Sequence, residues 1–470
     1  MLDGREAITY GKFFMQPDVI IIGTGQAAVP LATRLASAGR RVLIAERSDP
    51  GGTCVNYGCT PTKTMIASAR AAHVARTSAR LGVHAGDVRV DFQAVVARKN
   101  VVVHQWRQGI VKRLTESGDN LTFVYGHARF VGPRIIEVAG ERHGADTIVV
   151  NVGARPAVPR IPGLETVRWL DSHRALDLTE LPPHLVVIGS GYVGCEFAQM
   201  FRRFGSEVTV VSNGPHLLSR EDEDVSAALE EVFHREGIRL ELGVSIASIV
   251  HDAHGVRLAL AGGNEIRGTH VLVATGRRPN TDDLGCEAAG IQLDDRGFIA
   301  VDDGYQTSAP GIYAVGDAIQ EAQFTHTSWD DHRLLFDRLT GKPARGRGER
   351  LIPYAVFTDP QVAGVGISEK EARARNIDCE IATMPFARLA RAREIDETAG
   401  TMKVLYDPRS QRVLGARIVG AEAGELIHVF VVLMQAQASA RAIVDAEFVH
   451  PTFAEGVQSL VMKLKRFSLD

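Results

Sequence analysis

Cys54 and Cys59 stand in the segment Gly51-Gly52-Thr53-Cys54-Val55-Asn56-Tyr57-Gly58-Cys59-Thr60-Pro61-Thr62-Lys63, with four residues between the two thiols. A thiolate is a nucleophile toward sulfur and a ligand for soft metals, and two thiols within reach of one another can store an electron pair and release it. The spacing predicts that both sulfurs face one way at the start of a helix, where the helix dipole and Lys63 favour thiolate over thiol. Spacing alone also fits two unrelated buried cysteines; the flanking Gly51-Gly52, Pro61 and Lys63 weigh against that reading. The remaining cysteines, Cys195, Cys286 and Cys379, are far apart in sequence. So few cysteines in so long a chain do not make a disulfide scaffold, and the expected setting is a reducing cytoplasm with at most one special pair.

The elements that position this pair begin just upstream of it. Asp18 to Arg47 superimposes without gaps on His184 to Asn213, at a constant offset of 166 residues. In the first copy Val19-Ile20-Ile21-Ile22 reads as a buried parallel strand, Gly23-Thr24-Gly25-Gln26-Ala27-Ala28 as a turn, Val29 to Ala38 as a helix and Arg41 to Glu46 as the next strand. In the second copy the same roles fall to Leu185-Val186-Val187-Ile188, to Gly189-Ser190-Gly191-Tyr192-Val193-Gly194, to a helix from Cys195 to Phe204, and to a strand from Glu207 to Ser212. Strand, Gly-rich turn, helix and strand form the setting in which a glycine fingerprint binds a dinucleotide. Gly23 and Gly189 permit the tight turn, Gly25 and Gly191 let backbone N–H groups reach a pyrophosphate, and Ala28 and Gly194 pack helix on strand. One such turn alone is equally an ordinary turn; two copies in the right frame predict two nucleotide-binding units.

A chain of 470 residues exceeds what one hydrophobic core supports, which predicts about three domains. With 45% hydrophobic and 23% charged residues the composition is globular, and no apolar run is long enough for a membrane span. The opening residues carry Asp3 and Glu6 and lack an apolar core, so they read as a short extension and not as a secretory signal. A net charge of -3 and acids interleaved with the arginines argue against nucleic acid as a partner. Gly341 to Gly348 has the Gly/Pro/Arg composition of a linker. From Leu351 short strands such as Gly400 to Tyr406 and Val413 to Gly420 alternate with helices over Ser368 to Asn376 and Ala423 to Gln437, an α+β pattern.

From about Pro17 onward the chain resembles the class I pyridine nucleotide-disulfide oxidoreductases, which include glutathione reductase, dihydrolipoamide dehydrogenase and mercuric reductase. The resemblance is carried by the cysteine segment, both Gly-rich turns, Val273-Ala274-Thr275-Gly276-Arg277-Arg278-Pro279-Asn280, Gly311 to Asp317, Phe357-Thr358-Asp359-Pro360, and His450-Pro451-Thr452 with Glu455. It implies an α/β fold of two Rossmann-like dinucleotide-binding domains plus a C-terminal α+β dimerisation domain. The implied division is an FAD-binding domain over 15–160 and 281–345, an NAD(P)-binding domain over 161–280, an interface domain over 351–470, and a 1–14 extension. It implies FAD and NADPH or NADH as cofactors and no resident metal. Around FAD it implies Gly23, Gly25, Ala28, Gly52, Thr53, Lys63 and Gly153, with Glu46 accepting from the adenosine ribose and Asp317 holding the ribityl chain. Around NAD(P)H it implies Gly189, Gly191, Gly194 and Gly276. Cys59 becomes the thiol against the flavin and Cys54 the outer thiol that meets substrate, while Lys63 pairs with Glu196. An isolated histidine is more often structural than catalytic, but the resemblance makes His450, oriented by Glu455, the proton-exchanging group of a partner subunit. A homodimer follows.

The internal repeat bears on the coenzyme, because Glu46 maps onto Ser212. The carboxylate that grips a free ribose 2′-hydroxyl is missing there, and Asn213 and Arg220 stand close enough to contact a 2′-phosphate, which favours NADPH. The alternative for Arg220 is a surface pair with the adjacent acids. Substrate is less determined. The segments Phe324 to Asp331 and Leu389 to Arg393 resemble the mercuric-reductase-like branch, whereas Val461 to Asp470 holds no cysteine with which to hand over a metal. Three readings stand: reduction of a small disulfide or oxidant, reduction of a soft metal ion such as Hg(II), and a non-catalytic flavoprotein subunit or redox sensor. The joint presence of Cys54, Cys59, Lys63, Glu196, His450 and Glu455 argues against the last.

Overall fold

The computed structural model of the chain describes residues 9–10 as backbone, together with 16–253 and 255–468. The described chain divides into two compact units, one of the segments up to Thr64, Ala97–Ala157 and Arg277–Arg350, the other of Met65–Val96, Val158–Gly276 and the chain from Leu351.

In the first unit the apolar runs fold as the sequence predicts. Strands Leu121–Tyr125, Val42–Glu46, Val19–Ile22, Thr147–Val150 and Ile312–Ala314 lie side by side in that order, all parallel. Val19–Ile22 is buried at every position, as expected of a strand covered on both faces. Helix Ala28–Ser37 turns Ala28, Leu31, Ala32 and Leu35 inward, the three- and four-residue spacing of an amphipathic helix. Most of the 1–14 extension lies outside the described residues; Thr9–Tyr10 pairs antiparallel with Leu121–Tyr125 at the sheet edge.

The second unit repeats the arrangement. Strands Arg239–Glu241, Glu207–Val211, His184–Ile188 and His270–Val273 form a parallel sheet, and helix Tyr192–Phe204 follows the second Gly-rich turn. A three-stranded antiparallel sheet runs over Ile246–Asp252, Gly255–Leu260 and Glu265–Gly268; in its middle strand Val256, Leu258 and Leu260 are buried, the period of two that a one-sided sheet requires. The same unit contains the α+β region read from the sequence. Strands Tyr354–Val356, Gln361–Gly366, Arg412–Gly420, Thr401–Asp407 and Glu380–Pro385 form one antiparallel sheet. Helix Ala423–Gln435 buries Leu426, Ile427 and Phe430.

One local expectation needs correction. The helix expected over Ser368 to Asn376 covers only Glu369–Ala374: Ser368 is its cap, in a reciprocal arrangement with Glu371, and Asn376 takes a left-handed conformation that ends it. Gly341 to Gly348 lies just before the division between the units at Arg350 and is tethered along its length. Gly348 N–H donates to Asp303 at 2.9 Å, Arg345 pairs with Asp330 at 3.0 Å, and the segment runs into Arg350, whose side chain is buried. Composition marks the turns but does not reveal carboxylates brought in from distant sequence.

Candidate functional site

The two thiols lie on successive helices and not on one. Cys54 is in the short helix Gly52–Asn56, and Cys59 begins helix Cys59–Thr77. One continuous helix would rotate positions five apart by about 140° and point the sulfurs away from each other. The break at Tyr57 and Gly58 instead brings the thiols into hydrogen-bond contact. Both are present as free thiols. The Cys54 thiol is pushed well above the usual thiol range, first by its hydrogen bond to Cys59, then by burial and by charge on Cys59, while Thr325 and Lys63 pull it down. The expected thiolate-favouring effect of Lys63 is therefore real in direction and outweighed at Cys54. A negative charge on Cys59 makes Cys54 keep its proton, which divides the pair into two unlike sulfurs. Cys59 Sγ also lies 3.2 Å from Thr325 Oγ1, a hydroxyl able to donate to a thiolate.

The start of the Cys54 helix is packed on the first Gly-rich turn. A Cβ on Gly52 would stand 3.1 Å from Gly25 Cα, Gly51 N–H donates to Thr24 Oγ1 at 3.1 Å, and Gln26 Nε2 donates to Gly51 O at 3.3 Å. Thr53 follows within the same short helix. Glu46, at the end of its strand, accepts from Thr24 N (3.0 Å) and Thr24 Oγ1 (2.6 Å) through Oε2 and from Ser48 N (2.9 Å) through Oε1. A carboxylate offers about four acceptor positions, so a ribose hydroxyl can still be taken. Asp317 sits in the turn Gly316–Ala318; burial raises its carboxyl, and Arg277 at 3.4 Å opposes the rise. A partly buried carboxylate, its side chain 22% exposed, with one cation at the edge of contact is a fitting acceptor for the hydroxyls of a polyol chain. Gly153 accepts from Asn280 N at 3.0 Å, and no atom lies within 4 Å of where its Cβ would stand. These donors and acceptors suit FAD.

In the second unit Ser190 and Ser212 take the places of Thr24 and Glu46, and their hydroxyls meet at 2.9 Å. Space beside Gly191 and Gly276 is open to 4 Å, whereas a Cβ on Gly194 would stand 2.0 Å from Gly189 O. Asn213 and Arg220 are exposed. The acids next to Arg220 are engaged elsewhere: Glu221 accepts from the Tyr354 hydroxyl and lies 3.4 Å from Arg417, and Asp222 lies 3.2 Å from the buried Lys403. Pairing of Arg220 with its sequence neighbours is thus not what the structure shows.

Glu196 is buried in helix Tyr192–Phe204 and accepts from Phe357 N at 2.9 Å. Lys63 belongs to the first unit and Glu196 to the second. His450 Nδ1 lies 2.8 Å from Glu455 Oε2, the pairing the sequence pattern predicts. The imidazole is 70% exposed and Glu455 only 20%, so the ring is presented outward on a half-buried carboxylate.

Three residues near the site carried no assigned role in the sequence. Thr325 stands beside Cys59. Asn151 accepts from Ala28 N at 3.2 Å and donates to Val315 O at 3.0 Å. Asp331 accepts from Gly316 N at 2.7 Å. Thr325 and Asp331 fall in the Phe324 to Asp331 stretch that resembles the mercuric-reductase-like branch, and that likeness was the available signal.

The sequence matches the pyridine nucleotide-disulphide oxidoreductase family over residues 17–331 and that family's dimerisation domain over 352–461. It is 35% identical over 455 residues to the probable pyridine nucleotide-disulfide oxidoreductase RclA of Escherichia coli, covering 95% of this chain and 99% of the relative. It is likewise 35% identical over 462 residues to a dihydrolipoyl dehydrogenase of Thermus scotoductus, covering 96% and 97%. Among solved structures, a Cu(II) complex of the HOCl-induced flavoprotein disulfide reductase RclA from Escherichia coli superposes with a TM-score of 0.88 at 34% identity, over 95% of this chain and 99% of that one. Among the described residues no helix is long and apolar enough to cross a membrane.

Proposed function

The chain belongs to the pyridine nucleotide-disulphide oxidoreductase family, whose members are FAD- and NAD(P)H-using enzymes, and from that premise we propose that it passes electrons from NAD(P)H through FAD to the Cys54–Cys59 pair and on to a small disulfide or oxidant. The observation that carries this reading is the pair itself: two thiols in mutual hydrogen-bond contact, made unlike by their surroundings, with a hydroxyl 3.2 Å from Cys59 Sγ. The FAD-binding domain is 15–160 with 281–345, the NAD(P)-binding domain 161–280 and the interface domain 351–470. The site works in the reducing cytoplasm as a homodimer.

Bound FAD supplies the ring that takes hydride from NAD(P)H and returns the electron pair to the thiols. The Gly23 to Ala28 turn and Glu46 hold its adenosine and pyrophosphate, and Asp317 its ribityl chain. In the oxidative half, the proton of Cys54 passes to the imidazole of His450 of the partner subunit, whose other nitrogen is tied to Glu455. Cys54 Sγ then attacks one sulfur of the substrate disulfide, forming a mixed disulfide, and the departing thiolate takes the proton from the imidazolium. Cys59 Sγ next attacks Cys54 Sγ, closing the internal disulfide and releasing the second substrate thiolate. Each turnover thus consumes one hydride and one proton and yields two thiols. NADPH is the preferred coenzyme, supported by Ser212 in place of a carboxylate and by an exposed Arg220 whose neighbouring acids are engaged elsewhere.

Anaerobic titration with NADPH tests the electron path. The expected outcome is a long-wavelength thiolate-to-flavin band that is absent from Cys59→Ser; plain flavin bleaching in both proteins would sink the dithiol mechanism. Reduction of a soft metal ion is a second reading, favoured by the two adjacent sulfurs and by the Cu(II) complex of the solved relative. Steady-state rates with glutathione disulfide, lipoamide, Cu(II) and Hg(II) separate the two.

A further inference from the structure

The sequence stretch Phe324 to Asp331 contains an acid that the proposed reaction does not use. Asp331 lies in helix Thr325–Leu339 with its side chain fully buried. Its Oδ2 accepts from Gly316 N at 2.7 Å, and its Oδ1 accepts from the Tyr305 hydroxyl at 2.8 Å and from Arg350 Nη1 at 2.7 Å. Arg350, itself 3% exposed, spends the other arm of its fork on Glu321 at 2.5 Å. Burying such a pair costs desolvation that an apolar filling of equal volume avoids, and in exchange it fixes one geometry.

That geometry is a single turn. Gly316 is left-handed, with φ of 70°, and a Cβ there would stand 2.7 Å from Asn151 Nδ2 and 2.7 Å from Ser328 Oγ. Asn151 also holds the preceding carbonyl, Val315 O, at 3.0 Å. The turn is gripped on one side by Asn151 and on the other by Ser328 and Asp331, and the next residue along it is Asp317. The helix that carries Asp331 begins at Thr325, whose hydroxyl lies 3.2 Å from Cys59 Sγ. Asp331 lies six positions after Thr325, about 9 Å of helix axis, short enough to move as one rigid piece.

We propose that Asp331 is a positioning residue of the flavin site: its carboxylate fixes the Gly316–Asp317 turn against the ribityl chain, and its helix fixes the Thr325 hydroxyl on Cys59. The inference rests on the FAD reading above. Asp331 touches neither flavin nor substrate; it acts through Gly316 and through the helix.

The test is FAD titration of the apoprotein by flavin fluorescence, followed by the thiolate-to-flavin band at saturating FAD. Asp331→Asn keeps the shape and removes the charge; loss of a charge-assisted hydrogen bond predicts an FAD Kd higher by about ten- to a hundred-fold. At saturating FAD the long-wavelength band of Asp331→Asn is expected to shift or weaken, which a purely structural role would not produce. An unchanged Kd, or an unchanged band, overturns the proposal, whatever happens to Tm. Should Asp331→Asn not fold, Tyr305→Phe decides: it removes one donor and is expected to raise Kd by roughly two- to five-fold, and an unchanged Kd overturns the proposal. Wild-type apoprotein that fails to take up FAD would instead overturn the flavin reading itself.

Discussion

The two Gly-rich turns begin as copies and end with different chemistry. Thr24 and Glu46 in the first are matched by Ser190 and Ser212 in the second, so a hydroxyl–carboxylate contact becomes a hydroxyl–hydroxyl contact. Asn151 and Ala274 form a second matched pair, because the missing Cβ of Gly23 would meet Asn151 O and that of Gly189 would meet Ala274 O, each at 2.4 Å. Around Gly25 the space is filled by the Asn151 carboxamide; around Gly191 it is open to 4 Å. The first turn is stitched by side chains into a fixed receptor, and the second keeps room for a ligand. Under the proposed function that difference suits a prosthetic group that stays bound and a coenzyme that leaves at each turnover.

The largest effect expected along this divide comes from Cys54 and Cys59, both in the first unit. Cys59→Ser should lower disulfide turnover by at least about a thousand-fold, while stopped-flow reduction of the flavin by NADPH stays near the wild-type rate; parallel loss of both would erase the division of labour. Ser212→Glu restores to the second turn the acid of the first. Its kcat/KM ratio for NADPH over NADH should fall by about a hundred-fold with FAD content unchanged, and an unaltered ratio would mean that position 212 does not read the ribose. Asn151→Ala makes the first turn resemble the second. Apoprotein titration should then show FAD bound roughly ten-fold more weakly, with coenzyme KM unaffected. Smallest is Arg220→Ala, expected to raise KM for NADPH by about five-fold and to leave KM for NADH alone; equal shifts for both coenzymes would deny the arginine a phosphate contact.

Much of this was legible from local signals. The strands and helices of both copies were readable because their apolar runs and glycines are local patterns, whereas the pairing of His450 with Glu455 was implied by the family resemblance. The contacts that tether Gly341 to Gly348 had no such signal, because its composition says nothing of Asp303 and Asp330, which hold it from outside the segment. Asn151 had no local signal at all: its partners Ala28 and Val315 lie 123 and 164 residues away.

By itself the sequence determined which groups are available: two thiols, two dinucleotide turns, one of them without its acid, and a histidine–glutamate pair. Tertiary structure alone decided that the helix breaks between the thiols so that they meet, that burial and their mutual contact make the two sulfurs unlike, and that Asp331 grips the turn bearing Asp317. Spacing along a chain fixes residue types and local rotation, whereas hydrogen-bond partners and dielectric are set by segments that arrive from elsewhere in the fold.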